Sequence, residues 1–130
     1  VTTSFQVHGT PAPQGSKTRT RYGMFESSKR VKPWREAVTT AATGLEPIAP
    51  PYDVKVFFFI PTPKKTNADY PVAPTVGDLD KLLRATFDGL TASGIITDDR
   101  HIVTTEAAKN WAGTDGPGAV IIIKSLAGTA

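Results

Sequence analysis

Apolar positions recur along the chain at two periods, and these divide it into helices and strands. Leu79, Leu82, Leu83, Phe87 and Leu90 are spaced by three and four, which is the buried stripe of a helix. Asp78 stands at the N-cap position, and Ser93-Gly94 breaks the pattern. A second helix is predicted from near Lys32, with Pro33 in its first turn, to Thr43; Gly44 ends it. Its apolar face is narrow, Trp34, Val38, Ala41 and Ala42, with Trp34 as a packing anchor. Ser4 to His8 alternates and reads as a first strand, and Tyr22 to Phe25 as a second strand or hairpin arm. Tyr52 to Ile60 alternates and then turns wholly apolar from Val56, the mark of a central strand covered on at least one face. His101–Lys109 and Gly118–Lys124 complete the set. The order β-β-α-β-α-β-β predicts an α+β fold, a small mixed β-sheet with two helices packed against it. The whole of residues 1–130 is expected to be one domain. Within it, Pro61 and Pro63 stop the middle strand and open a polar, proline-rich loop over residues 61–77, expected to be flexible and to lie over Asp78.

Composition narrows the chemistry. The absence of cysteine removes disulfides, thiolate metal sites and cysteine nucleophiles. No apolar run approaches the ~20 residues that cross a bilayer, so no membrane partner is expected. Val1 to Pro13 is polar and interrupted by Gly and Pro, unlike a signal peptide. Charge is unevenly spread: residues 1–65 carry a net +6 and residues 66–130 a net −3. A basic half that holds phosphates and an acidic half that holds metal suits a nuclease.

Two acidic clusters flank the Leu79–Leu90 helix. Asp78 would suffice as its cap, so Asp80 is surplus to capping, and two aspartates one residue apart repel unless a cation sits between them. Asp80, Arg84 and Asp88 follow at intervals of four, and Asp98-Asp99 forms a turn beyond the helix. Each part also has an ordinary explanation, since aspartate caps helices and shapes turns. Together they form the kind of carboxylate set that binds a hard divalent metal. The basic candidates for DNA binding are Lys17, Arg19 and Arg21, which alternate in an extended stretch, then Lys29, Arg30 and Lys32, then Lys64 and Lys65 in the long loop. A solvated edge strand or loop explains the first three as well. His101 and His8 have no partner motif, and zinc spacings and Gly-rich phosphate loops are absent.

Asp78-Leu79-Asp80-Lys81-Leu82-Leu83-Arg84, Phe87-Asp88-Gly89-Leu90 and Gly94-Ile95-Ile96-Thr97-Asp98-Asp99 resemble the signature of the RusA-type crossover junction endodeoxyribonucleases. Lys32-Pro33-Trp34-Arg35 is similar to the family's lead-in to its first helix. The resemblance implies a homodimer that resolves four-way (Holliday) DNA junctions with Mg2+ or Mn2+, in the cytoplasm of a bacterial cell or phage-infected host. It implies that Asp78, Asp80 and Asp99 bind the metal. Lys81 stands where the family has Asn, and Arg84 where it has its catalytic Lys. Arg84 keeps the charge but donates no proton, because a guanidinium stays protonated in proteins; Lys81 is the other candidate for that role. Asp88 and Asp98 are candidates to orient these groups from behind. The alternatives are a nuclease for other branched DNA and a non-catalytic DNA-binding protein on the same fold.

Overall fold

A computed structural model describes residues 1–14, 17–20, 23–26 and 29–128. β1 (Thr2–His8) is followed by β2 (Lys17–Thr20), β3 (Gly23–Glu26), α1 (Val31–Ala42), β4 (Tyr52–Ile60), α2 (Leu79–Ser93), a 3-10 turn (Asp99–His101), β5 (Ile102–Trp111) and β6 (Gly118–Ser125). The fold is α+β: a four-stranded mixed sheet in the order β1-β6-β4-β5, with two helices, and a separate β2-β3 hairpin. β4 runs antiparallel to β6 and parallel to β5. The parallel pair needs a crossover, and α2 supplies it.

β4 shows why the sheet has one covered face. Tyr52, Val54, Val56, Phe58 and Ile60 are buried, while the residues between them are only half-buried. Ile121 and Ile123 of β6 and Val7 of β1 extend the buried face. Trp34 of α1 packs there, its ring centroid 6.3 Å from that of Phe58 at a tilt of 54°. The anchoring role expected for Trp34 is therefore met. On the other face Phe57 stands beside Val120 and Phe59 beside Gly118, and the two described helices pack on the opposite face with Phe58. The wholly apolar run from Val56 thus divides its residues between two surfaces, because side chains alternate along a strand.

α1 and α2 pack closely. Gly89 is buried, and a Cβ there would fall 2.8 Å from Val38 Cβ and 3.0 Å from the Arg35 carbonyl. Thr39 Oγ1 donates to the Gly89 carbonyl at 3.1 Å across the same contact. At the far end of α2, Gly94 takes a left-handed C-cap at φ 85°, and Ile95 and Ile96 turn back into the core.

Candidate functional site

Asp78 occupies the N-cap position of α2 with extended backbone, and its carbonyl receives the Lys81 and Leu82 N–H groups at 3.1 and 3.0 Å. Its carboxylate makes no cap hydrogen bond. Both Asp78 and Asp80 are exposed, with Asp80 in the first turn, near the positive end of the helix. Arg84 is exposed one turn further on, Lys81 is half-buried beside the pair, and Asp88 is half-buried another turn along.

The approach to Asp78 is held from several sides. Arg30, just before α1, donates to the Thr75 carbonyl at 2.6 Å. Lys109 of β5 donates to the Gly77 carbonyl at 3.2 Å. Gln14 N–H donates to the Lys81 carbonyl at 2.9 Å. Further up the loop, Trp111 Nε1 reaches the Ala68 carbonyl at 3.0 Å and Thr62 Oγ1 the Ala112 carbonyl at 2.9 Å. The 61–77 loop, which leads into the acidic pair, is thus tied to β5 and to the start of α1.

The second acidic cluster lies elsewhere. Asp98 accepts the Arg100 N–H at 2.9 Å and so caps the 3-10 turn that contains Asp99. That hydrogen bond holds the Asp98 pKa below the usual carboxylate range, with the Arg100 charge assisting. The turn adjoins the Tyr52 end of β4: Thr97 N–H donates to the Tyr52 hydroxyl at 3.1 Å, and Tyr52 pairs with Ile102. Gly77 lies at the opposite end, where Lys109 pairs with Phe58. Two rulers agree on the separation. The 15 residues of α2 rise about 22 Å, and β5 from Ile102 to Lys109 extends about 23 Å. Asp80 and Asp99 are thus roughly 20 Å apart in one chain. The two clusters are close in sequence but not in space within one chain, because the helix between them is a spacer. Consistently, among the described residues no three His, Asp or Glu side chains are grouped to hold a metal ion.

The exposed carboxylates of Asp78 and Asp80 are the hard oxygen donors that Mg2+ takes in ones and twos, with water completing its shell. The pair fits that role, with Asp78 not consumed by capping.

The basic candidates divide. Lys29, Arg30 and Lys32 are exposed at the start of α1, and Lys29 and Arg30 line an open hollow of about 510 Å³ with His8 and Thr10. The Arg30–Thr75 bond puts this basic surface at the same end of the domain as Asp78. Lys64 and Lys65 are exposed in the loop. Lys17 and Arg19 belong to β2, of which only the backbone is described, and Arg21 lies outside the described residues. His101 Nδ1 hydrogen-bonds Thr97 Oγ1 at 2.7 Å, a local structural role. Gly77 and Lys109 were missed from the sequence. The readable signal was a lysine alternating with Ala107 and Trp111 in a strand.

No helix among the described residues is long and apolar enough to cross a membrane. The family model for endodeoxyribonuclease RusA matches residues 5–124. No curated protein matches the chain.

Proposed function

Because the chain belongs to the RusA endodeoxyribonuclease family, we propose that it resolves four-way DNA junctions by paired nicks, using Mg2+ or Mn2+, as a two-fold homodimer in the cytoplasm. The observation that carries the reading is the family match over residues 5–124, which spans both acidic clusters and the basic start of α1. Asp78 and Asp80 hold the metal, and Asp99 completes the set. A bound divalent ion supplies a polarised phosphate and a water of lowered pKa. Arg84, one turn beyond Asp80, offsets charge that develops on the phosphate. Lys81 lies in the same first turn and is the group there able to release a proton. Lys29, Arg30 and Lys32 grip the backbone beside the site, with Lys64 and Lys65 from the loop; Lys17, Arg19 and Arg21 extend the track.

The separation of Asp80 from Asp99 supports the dimer. One chain cannot bring both to one ion, but a partner related by a two-fold axis offers its 3-10 turn to the start of α2, and the symmetry makes the arrangement twice. Two sites are also what paired cuts require. The uncovered sheet face with Phe57 and Phe59 is the apolar surface available for contact, whereas Phe58 and Ile60 are committed to the chain's own core.

The test is cleavage of a four-way junction and of a linear duplex of the same sequence, with and without Mg2+. Metal-dependent cutting confined to the junction is expected. Equal cutting of other branched DNA would move the reading to a general branch nuclease, and no cutting with retained binding would move it to a non-catalytic binder. D80N should abolish cleavage and spare binding, which rests on phosphate contacts.

A further inference from the structure

We propose that Lys109 is a positioning residue of the acidic site, fixing the Gly77–Asp78 peptide so that the Asp78 carboxylate is aimed at the metal. This rests on the reading of Asp78 and Asp80 as metal ligands.

Lys109 occupies an unusual place for a cation. It pairs with fully buried Phe58 and shares the helix-covered face of the sheet with Ala107 and Trp111. Its stem can lie against apolar surface, but the ammonium must find a polar partner. It finds the Gly77 carbonyl at 3.2 Å. That carbonyl and the Asp78 N–H belong to one planar peptide, so holding the oxygen fixes the plane and with it the place of the Asp78 Cα from which the side chain departs. Gly77 is also crowded by Pro13. Its φ is +94°, and a Cβ there would fall 2.5 Å from Pro13 Cγ. The residue before Asp78 therefore meets a proline ring at its Cα and an ammonium at its carbonyl.

The action runs through the peptide. Among the described residues no ion pair joins Lys109 to Asp78, Asp80 or Asp99, and its ammonium reaches the site through the Gly77 carbonyl. A charged donor is also roughly twice as strong as a neutral one, which suits a group that must hold a backbone against the repulsion of two adjacent carboxylates. Arg30 holds the same segment two residues earlier, but from the exposed surface and through Thr75.

The experiment is a titration of the DNA-free protein with Mn2+ alone, read as the rise in melting temperature, on the unsubstituted chain, K109M and K109R. K109M keeps the stem and loses the donor. Its metal-free melting is expected to stay close to that of the parent, while the Mn2+ midpoint rises at least tenfold, the usual loss when a group orienting a metal ligand is removed. K109R, which keeps a charged donor, is expected to lie between the two. If K109M does not fold, K109Q, whose shorter amide falls short of the Gly77 carbonyl, should show the same rise. An unchanged midpoint in the donor-less variant would overturn the role of Lys109, and so would a lower one, which would mean that the ammonium merely repels the ion. No stabilisation by Mn2+ in the unsubstituted protein would instead overturn the metal reading itself. The two failures are thereby told apart.

Discussion

Trp34 donates its indole N–H to Thr86 Oγ1 at 3.1 Å, with both residues buried between α1 and α2. Thr86 is the buried polar residue of the described core, and its hydroxyl in turn donates to the Leu82 carbonyl at 2.8 Å. The bond joins the helix that begins in basic residues to the one that begins in acidic ones. T86V keeps the shape and strands the indole N–H, at a cost of about 2 kcal/mol. Thermal unfolding should fall by roughly 8 °C. T86S should retain most of the stability. W34F made on top of T86V should cost less than W34F alone, because the N–H is already unsatisfied.

Gly89 offers a test of the helix contact. Alanine normally gains about 1 kcal/mol over glycine inside a helix. Here its Cβ would press on Val38 at 2.8 Å and on the Arg35 backbone carbonyl at 3.0 Å. The carbonyl cannot rotate away, so the helices must part. Overpacking costs about 1–3 kcal/mol and outweighs the propensity gain. G89A should therefore lower the denaturant midpoint, and V38A should be milder in the G89A background than alone.

Asp98 predicts an acid-dependent contribution. Its pKa is lowered first by the Arg100 N–H bond and then by the Arg100 charge. A depressed folded pKa means stability that is present above the unfolded value, about 3.9, and is lost as pH falls through the folded one. D98A should be less stable than the parent at neutral pH, and the gap should narrow below about pH 4. Denaturant midpoints at neutral pH and in strong acid measure it; a gap of constant size would contradict the cap.

Junction binding should weaken steeply with salt. Removing Lys29 or Lys32 should lower the slope of log affinity against log salt by roughly 0.9 each. Arg30 should behave differently, since its guanidinium also holds Thr75. R30A is expected to lower cleavage beyond its effect on binding, measured as kcat under saturating junction.

Much of this was legible from periodicity. Leu79 as the first residue of α2, Gly94 as its end, and Tyr52–Ile60 as β4 follow from local pattern: the first apolar position of a helical stripe after Asp78, a left-handed glycine, a proline stop. The inward turn of Ile95 and Ile96 was legible for the same reason. The ends that shifted, such as β1 beginning at Thr2 and β5 reaching Trp111, are edge strands whose limits depend on partners. What sequence could not supply was distance. Asp80 and Asp99 are neighbours on the page, yet α2 holds them apart, because the strand order β1-β6-β4-β5 requires a crossover spanning the sheet. Lys109 was hidden in the same way: its link to Gly77 follows from the β4-β5 register, which no local pattern encodes.

The span of α2 bears on how damage in two copies would combine. On the proposed dimer, a chain carrying D80N still lends a sound Asp99, and a chain carrying D99N still lends a sound Asp78 and Asp80. Each variant alone has two broken centres. Mixed and allowed to exchange, the pair rebuilds one whole centre and concentrates both lesions in the other. Such hybrids should nick a junction once and leave the symmetric strand intact. Sites complete within single chains would stay dead however they were mixed. Dilution tells the same story: a centre shared between copies fades as the copies part, so specific activity should fall at low concentration even while every chain remains folded.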